Sequence, residues 1–400
     1  MKIAYLAEGY NVHDRRFLEK LVERGHEPYL ISYHTSELLQ VDGVKTLDFT
    51  KTFDFSFHAD HVPRRRYLQF WRMGRHLARV LETLQPDILH TGYLRWHGFI
   101  GALANFPRTL SMPWGSDVLI EPQHSHFTAL AAKVSLRRAQ WITCDCELVK
   151  QRIIELAHCS PEKIVVFPWG INLQTFQPRP EGQAIRRRLG WEQNDVLIMT
   201  RNFMPVYGIE YFLQALPEII KQQPQTRVIL IGTGPLEATF REQLQADGLT
   251  DYVHFTGRVN EQEMAAYLSA ADVYVTTALS DGTSVSMLEA MACGLPLIVS
   301  DAPAYDEWIT HGVNGMRAKR ADVSSIQAAI LTLLKNPSLR KRMGEINLGI
   351  ARDKADWEAN FTKLEQIYAD LMKIHTHTPV RKMVAYLGLG RELFKLTEVR

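Results

Sequence analysis

The sequence predicts an α/β protein of two domains, each built around a parallel β-sheet. The chain has 400 residues, more than the roughly 250–300 that a single hydrophobic core usually serves. Short apolar runs typical of buried strands alternate with segments of helical periodicity along most of the chain. Residues 168–190, rich in proline and glycine, divide this alternation into two series.

The first series predicts the N-terminal domain, residues 1–172. An apolar run at 3–6 predicts a strand that ends in a turn at Gly9, and a helical stripe of apolar residues follows until Gly25. Further strands are predicted at 28–33, 87–90, 109–112, 141–143 and 163–167, with helices between them. This order is typical of a parallel sheet covered on both faces.

The second series predicts the C-terminal domain, residues 191–356, joined to the first by a linker at 173–190. Strands are predicted at 196–200, 227–231, 253–255, 273–276 and 297–299, and a clean helical stripe runs from Ile209 to Ile220. The chain is predicted to be helical from about Val323. We expect residues 357–400 to pack back on the N-terminal domain.

Composition excludes some classes of function. The formal net charge is +2, which gives no reason to expect nucleic acid as a partner. No apolar run reaches the roughly 20 residues of a membrane span. The four cysteines lack the spacing of a zinc site, so we expect reduced thiols in a cytoplasmic protein.

The segment 280–296 carries the clearest chemical pattern. It follows a predicted strand and opens a helix: Gly282 suits a tight turn with unusual dihedral angles, and Thr283 or Ser284 can cap the helix. The N–H groups of Ser284, Val285 and Ser286 would then form an anion site. Glu289 lies five residues after Ser284, roughly 7.5 Å along the axis, where it can accept hydrogen bonds from two ribose hydroxyls. Asp281 is placed to reach a sugar beyond the phosphate.

This segment resembles the E-x7-E region of the retaining family 4 glycosyltransferases, which have the GT-B fold. The match is carried by residues 288–296, Leu-Glu-Ala-Met-Ala-Cys-Gly-Leu-Pro, and weaker likenesses extend over roughly 1–370. The resemblance implies two Rossmann-like domains whose sheets face a central cleft. It implies transfer, with retention, of a sugar from a nucleotide-diphospho-sugar to an acceptor hydroxyl in polysaccharide, lipopolysaccharide or glycolipid biosynthesis. The donor would bind the C-terminal domain, and a sugar or lipid-linked acceptor the N-terminal one.

The diphosphate leaving group requires compensating positive charge. No Asp-x-Asp sequence that would hold a metal occurs in the chain, so we expect catalysis without a metal or other cofactor. Arg201 and Arg258 are the candidate phosphate-binding cations. The family usually pairs such an arginine with a lysine, and that position here is Tyr207. Asp281 likewise stands where the family usually has glutamate. We therefore predict Asp281, Arg201 and Glu289 as catalytic residues.

The acceptor side is predicted less fully. The candidates lie at or near strand ends of the N-terminal domain: Glu8, Gly9, His13, Asp14, His90, His97, Trp114 and Asp117. At Trp114 the family commonly has histidine. Each lone histidine has a structural interpretation as well as a functional one.

Residues 64–79 carry six arginines and no acidic residue, interleaved with aromatic side chains. Two interpretations stay open: a core helix with a solvated basic face, or a surface that docks the protein on the anionic inner face of the membrane. The tail, residues 380–400, is also basic and amphipathic.

Two other functions stay open beside glycosyl transfer. A sugar-nucleotide 2-epimerase would share the fold and the donor site but would need no acceptor. A non-catalytic nucleotide-sugar-binding protein would need neither acceptor nor catalytic groups.

Overall fold

A computed structural model describes residues 1–9, 12–33, 38, 40–53 and 67–374. Within this part of the chain the fold consists of two compact α/β units. Unit 1 comprises Met1–Cys144, Val149–Val166 and the described residues from Lys363 onward, and unit 2 comprises Asp145–Leu148 and Phe167–Thr362.

Unit 1 contains a parallel sheet, as predicted. Its strands within the described residues, in chain order, are β1 Lys2–Leu6, β2 Glu27–Ser32, β3 Lys45–Asp48, β4 Ile88–Thr91, β5 Thr109–Ser111, β6 Trp141–Cys144 and β7 Ile164–Val166. They lie in the order β3-β2-β1-β4-β5-β6-β7. β4 is buried along its whole length, because a parallel sheet is covered by helices on both faces.

The helices of the first half follow the predicted alternation. They are α1 Val12–Glu23, α2 Tyr67–Leu84, α3 Phe99–Ala104, α4 Ser116–Leu119, α5 His126–Arg138 and α6 Glu147–Ala157. A π-helical turn, Leu94–Gly98, precedes α3 directly. π-Helical turns are rare and often lie at functional sites.

Unit 2 contains the second parallel sheet. Its strands are β8 Asp195–Thr200, β9 Thr226–Ile231, β10 Val253–Gly257, β11 Val273–Thr276, β12 Leu297–Ser300 and β13 Gly315–Ala318. They lie in the order β10-β9-β8-β11-β12-β13. The chain therefore starts at the centre, builds one half of the sheet, and returns to build the other, as in a doubly wound Rossmann fold.

The helices of the second half complete the alternation. They are α7 Glu181–Leu189, α8 Ile209–Gln222, α9 Glu237–Ala246, α10 Glu261–Ser269, α11 Val285–Ala292, α12 Val323–Leu334, α13 Pro337–Lys354 and α14 Trp357–Met372. The predicted stripe on α8 is confirmed, since Ile209, Phe212, Leu216 and Ile219 are fully buried. Helix α7 lies inside the segment predicted as a linker, and the predicted limits at 172, 190 and 356 stay predictions.

Strand order reverses at one place in each sheet. In unit 1 this place lies between β1 and β4, and in unit 2 between β8 and β11. Chains leaving two such strands turn to opposite faces of the sheet, which opens a crevice at their carboxyl ends where ligands bind. The residues after β8 and β11 are Arg201 and the segment 277–284, so the sheet brings the strongest sequence candidates to one point.

Helix α2 bears part of the basic region at 64–79. Phe70, Met73 and Leu77 are buried in the core, which confirms that this helix is amphipathic, whereas Leu68 is 53% exposed. Arg72, Arg75 and Arg79 are exposed on the same helix. Residues 64–66 and 380–400 lie outside the described residues. Across the described chain, none of the helices has both the length and the apolar character that crossing a bilayer requires.

Candidate functional site

Arg201 stands at the carboxyl end of β8, in the middle of the unit 2 sheet. Two glycines of the β9 loop allow the chain around it to pack closely. A Cβ on Gly232, whose φ is +137°, would lie 2.3 Å from the Arg201 carbonyl oxygen, and one on Gly234 would lie 2.5 Å from the Phe203 carbonyl oxygen. Both contacts are too short for any side chain, so the Gly-Thr-Gly sequence holds the Arg201 loop in place.

Arg201 forms an ion pair with Asp281, from the turn after β11. Its other terminal nitrogen, Nη1, donates to Ser286 Oγ at 3.3 Å. The guanidinium carbon lies 4.3 Å from the centroid of the Tyr207 ring. The side chain of Arg201 is 10% exposed and that of Asp281 is 16% exposed, so the pair is shielded from water but can still be reached by a ligand.

The turn between β11 and α11 is held by its own polar groups. Asp281 Oδ1 accepts the Gly282 N–H at 3.1 Å. Ser284 is the N-cap of α11 and accepts the Met287 N–H at 3.3 Å, as one of the two predicted caps. The helix therefore begins where the sequence predicted, and the hydroxyl of Ser286 in its first turn lies beside Arg201.

Gly282 is required for a reason other than the predicted one. It is not among the glycines with positive φ, so the expectation of unusual dihedral angles was wrong. A Cβ on Gly282 would instead lie 2.5 Å from Asp145 Oδ2. That same oxygen accepts the Thr283 N–H at 2.8 Å, and the Asp145 carbonyl accepts the Thr283 hydroxyl at 2.7 Å. Burial raises the pKa of Asp145 to about 6.

Two buried tyrosines that sequence reasoning missed complete this cluster. The Tyr305 hydroxyl donates to Asp281 Oδ2 at 3.0 Å, and the Tyr274 hydroxyl lies 2.9 Å from Ser286 Oγ. Both tyrosines are fully buried. A buried phenol needs a hydrogen-bond partner, and a tyrosine inside an apolar strand such as β11 is the signal that could have indicated one.

The charge of Arg201 is stabilised by its surroundings. Burial alone would lower its pKa, but Tyr305, Tyr274, Tyr207 and the Glu289 carboxylate outweigh burial and raise the pKa above its ordinary value. Glu289, on α11, therefore acts on the same charged centre as Asp281. Both predicted carboxylates thus lie near one arginine.

Arg258 lies farther along the same edge of the sheet. It follows β10, two strands from β8, is exposed, and donates from Nε to Thr233 Oγ1 at 3.2 Å. Its contact is therefore with the glycine-rich loop after β9, and the structure does not place it in the Arg201–Asp281 cluster.

The unit 1 candidates gather at the corresponding edge of the first sheet. Gly9, after β1, has φ +74°, and its N–H donates to Asp14 Oδ2 at 3.0 Å. Tyr5 donates to the other oxygen of Asp14 at 3.2 Å. Asp14 therefore fixes the turn at Gly9, and the neighbouring Glu8 side chain is half-buried.

Trp114, His13 and Asp117 form one group in unit 1. The rings of His13 and Trp114 meet edge to face with centroids 5.5 Å apart. The two oxygens of Asp117 accept the N–H groups of Trp114 and Leu94, each at 2.9 Å. Burial is the main reason that the pKa of Asp117 rises to about 7. Burial lowers the pKa of His13 to about 4, with a further contribution from Arg16.

A second set of missed residues lies beside this group. Glu121 accepts the Tyr93 hydroxyl and forms an ion pair with Arg95 at 3.3 Å. Burial raises the pKa of Glu121. Tyr93 immediately precedes the π-helical turn that contains Arg95, whereas Glu121 lies in the 3₁₀ turn Glu121–Gln123. The proximity of Glu121 to the other two could therefore not be read from spacing along the chain.

His90 and His97 are both fully buried. His90 Nδ1 lies 2.6 Å from the hydroxyl of Tyr368 on α14, and burial lowers the pKa of His90 to about 3. His97 lies within the π-helical turn. The structure gives His90 a packing role inside unit 1, in keeping with the structural interpretation of these histidines.

Comparison with known proteins identifies the family. Residues 7–175 match the family described as Glycosyltransferase Family 4, and residues 182–347 match the family described as Glycosyl transferases group 1. The chain belongs to the group 1, family 4 glycosyltransferases.

The chain covers different shares of the length of its relatives. It is 28% identical over 243 residues to a D-inositol 3-phosphate glycosyltransferase of Thermobispora bispora, covering 58% of this chain and 56% of that protein. It is 29% identical over 326 residues to a GDP-mannose-dependent monoacylated alpha-(1-6)-phosphatidylinositol monomannoside mannosyltransferase of Corynebacterium glutamicum. That match covers 77% of this chain and 82% of that protein. The chain therefore spans little more than half of the first relative and most of the second.

The fold of the chain matches a solved structure over nearly its whole length. Anabaena HepE in complex with UDP-glucose superposes with a TM-score of 0.74 at 18% identity, covering 94% of this chain and 100% of that one. The predicted GT-B fold, with its two Rossmann-like sheets, is thereby confirmed.

The arrangement in space of the side chains that commonly bind metals bears on the expectation of metal-free catalysis, as their positions in the sequence do. Within the described residues, histidine, cysteine, aspartate and glutamate side chains form no group of three or more that could hold a metal ion. Catalysis without a metal stays a prediction.

Proposed function

We propose that this protein transfers a glycosyl group, with retention, from a nucleoside-diphospho-sugar to an acceptor hydroxyl in polysaccharide, lipopolysaccharide or glycolipid biosynthesis. The observation that carries the proposal is the meeting of Arg201, Asp281 and Ser286 where strand order reverses in the unit 2 sheet. Ligands of such sheets bind at this point, and a cation beside a helix N-terminus suits a phosphate.

The diphosphate would be stabilised by two sources of positive charge. The N-terminus of α11 is equivalent to roughly half a positive charge. Its first residues are the buried cap Ser284 and the half-buried Val285 and Ser286. Arg201 supplies a cationic guanidinium, and the N–H groups that Asp281 and Ser286 leave unused suit phosphate oxygens. Because both are already in place, they stabilise the charge that develops on the leaving group without further reorganisation.

Glu289 is the proposed ribose ligand. It lies one and a half turns into α11, on the helix whose N-terminus would hold the phosphates, and it is half-buried. A carboxylate at that distance can accept hydrogen bonds from both ribose hydroxyls. Asp281 forms an ion pair with Arg201, so its part in donor binding involves that arginine.

The relatives support the class of both substrates. HepE was solved with UDP-glucose, and the Corynebacterium glutamicum relative is named as a GDP-mannose-dependent enzyme acting on a phosphatidylinositol mannoside. We infer a nucleotide-sugar donor for this protein and a sugar or lipid-linked acceptor. The acceptor would meet the unit 1 candidates Glu8, Gly9, His13, Trp114 and Asp117, and a lipid-linked acceptor would place the protein at the inner face of the membrane.

A screen of nucleotide sugars tests the proposal. UDP-glucose, UDP-N-acetylglucosamine, GDP-mannose and ADP-glucose are added separately, and the unfolding temperature is followed. One of them should raise it, because a ligand that binds only the folded state stabilises that state. The ligand found is then incubated with the protein, with and without an acceptor extract. Nucleoside diphosphate release that depends on the acceptor supports transfer. Epimerisation of the donor alone, or binding without any turnover, would contradict it.

A further inference from the structure

We propose that Asp281 and Tyr305 are positioning residues that anchor the Arg201 guanidinium, and that Asp281 acts on the diphosphate through Arg201 instead of holding the donor sugar. The inference rests on the proposed function and assigns Tyr305 a role that the sequence did not indicate. It also replaces the predicted contact between Asp281 and the sugar.

The Asp281 carboxylate is mostly occupied by the protein itself. Oδ1 accepts the Gly282 N–H, while Oδ2 accepts both Arg201 and the Tyr305 hydroxyl. A carboxylate has about four acceptor positions, so three are taken within unit 2. A sugar hydroxyl would have to share what is left.

Tyr305 fixes the orientation of this carboxylate. It lies in the 3₁₀ turn Pro303–Glu307 after β12 and is fully buried. Its hydroxyl is 3.0 Å from Asp281 Oδ2 and 3.5 Å from Thr276 Oγ1. Because a buried phenol has no water to turn to, the hydroxyl holds Asp281 toward Arg201.

The guanidinium group of Arg201 is in turn held by contacts at both terminal nitrogens and on one face of its plane. Nη2 meets Asp281, Nη1 meets Ser286, and the plane lies over the Tyr207 ring. Its Nε is buried and donates to no acceptor among the described residues. A guanidinium fixed in this way keeps donors available to a diphosphate at little entropic cost.

Side-chain length gives the physical reason. Aspartate is shorter by one methylene group than the glutamate usual in the resembled family, so its carboxylate extends less far from the backbone. In this chain that carboxylate contacts Arg201. Anchoring and sugar binding have different consequences, because a bare nucleoside diphosphate contains no sugar to be held.

The first experiment compares ligands with and without the sugar. Binding of UDP, GDP, UDP-glucose and GDP-mannose is measured by calorimetry for the wild type, Asp281→Ala, Asp281→Asn and Tyr305→Phe. Anchoring predicts that Asp281→Ala weakens bare nucleoside diphosphate and nucleotide sugar by the same factor, at least about tenfold, and that Tyr305→Phe weakens both by about threefold. Asp281→Asn should fall between wild type and Asp281→Ala, because it keeps an acceptor oxygen for Arg201.

Tyr267→Phe is the matched control. Tyr267 is a buried tyrosine of unit 2 whose hydroxyl accepts Arg188 Nη2 at 2.8 Å, and it lies on α10, away from the Arg201 cluster. Its substitution should leave nucleotide affinity unchanged. If Asp281→Ala binds bare nucleoside diphosphate like the wild type but has lost affinity for the nucleotide sugar, Asp281 holds the sugar and the inference is wrong.

A second experiment needs no ligand. Urea unfolding of Arg201→Ala, Tyr305→Phe, Asp281→Ala and their pairwise combinations forms double-mutant cycles. The Arg201–Asp281 and Asp281–Tyr305 cycles should be strongly non-additive, and a cycle of Arg201 with Tyr267 should be additive. Additive effects in the first two cycles would overturn the anchor. A third outcome is that the wild type binds no nucleotide while the first two cycles still show non-additive unfolding free energies. In that case the proposed function fails, but the anchoring of Arg201 by Asp281 and Tyr305 is supported.

Discussion

The guanidinium carbon of Arg201 lies 4.3 Å from the centroid of the Tyr207 ring. In the resembled family this position is usually lysine, which would add a second cation for the diphosphate. Tyr207 offers an aromatic face, which attracts a guanidinium by roughly 0.5–2 kcal/mol but contributes no charge. Under the proposed function, this chain would rely on one arginine where the resembled family usually has a pair of cations.

Substitutions at Tyr207 should separate the effect of its aromatic ring on nucleotide affinity from the effect of an added positive charge on turnover. Tyr207→Phe keeps the aromatic face and should retain nucleotide affinity within about twofold, whereas Tyr207→Ala should weaken it about threefold or more. Tyr207→Lys should partly restore turnover to Arg201→Ala because it returns a cation to the site. Calorimetry and initial rates measure both effects. A larger loss in Tyr207→Phe than in Tyr207→Ala would contradict the role of the ring.

Glu289→Gln should weaken binding of a ribonucleoside diphosphate by about tenfold, because hydrogen bonds to a charged acceptor are worth about 1.5–3 kcal/mol. The loss should be much smaller for the 2′,3′-dideoxy nucleotide, which has no ribose hydroxyls to bond. Calorimetry with both ligands on both proteins gives the comparison. An equal loss for both ligands would show that Glu289 acts only through the charge of Arg201.

Buried His90 should make unit 1 sensitive to acid. Its pKa is lowered from 6.5 to about 3, so its contribution is fully present above pH 6.5 and is lost as the pH falls from about 6.5 toward 3, by up to about 1.4 kcal/mol per unit. His13, with its pKa lowered to about 4, acts in the same direction. The raised pKa of Asp117, about 7, acts in the opposite one.

Comparison of His90→Asn with the wild type isolates the histidine. The urea midpoint of the variant, measured from about pH 7.5 to about pH 4.5, should fall less steeply with acidification, whatever its value at neutral pH. Parallel curves for the two proteins would rule out His90 as a source of acid sensitivity.

The basic face of α2 should bind anionic lipid if the docking interpretation is right. The protein should then pellet with phosphatidylglycerol vesicles but not with phosphatidylcholine vesicles, and less so as salt shortens the screening length from ~10 Å at 0.1 M. Changing Arg72, Arg75 and Arg79 to glutamine should weaken pelleting. The matched control changes the exposed Lys341, Arg342 and Arg352 of α13. Equal pelleting by the two triple variants would assign α2 to the core alone.

The fold was predictable because each strand of a covered parallel sheet is an apolar run, and such runs alternate with amphipathic helices along the chain. Helix α11 was predictable down to a choice of two caps, Thr283 or Ser284, since capping depends on residues close in sequence. The interpretation of Gly282 was wrong because the atom that excludes a side chain there belongs to Asp145, far away in sequence.

Tyr274 and Tyr305 could not be predicted as part of the site for a related reason. The position of Tyr274 in an apolar strand indicates only that its hydroxyl needs some partner, and only the tertiary structure shows that the hydroxyls of Tyr274 and Tyr305 meet Ser286 and Asp281. The same holds in unit 1 for Glu121, which lies in a different turn from Tyr93 and Arg95. Arg201 was predictable only through the family resemblance, because a lone arginine after a strand has no distinctive pattern.

Nucleoside diphosphate release from the nucleotide sugar found in the screen, measured in excess chelator, tests glycosyl transfer at Arg201 most directly. Acceptor-dependent release should be the same with chelator as with magnesium, and Arg201→Ala should slow it by at least about tenfold, since a charge-assisted bond of about 1.5–3 kcal/mol is lost. Arg186→Ala is the matched control, because Arg186 forms a similarly shielded ion pair with Asp272 at 2.6 Å and should keep the rate of any protein that folds. Activity that disappears in chelator and returns with magnesium, or a near-normal rate in Arg201→Ala, would contradict a metal-free transfer that depends on this arginine.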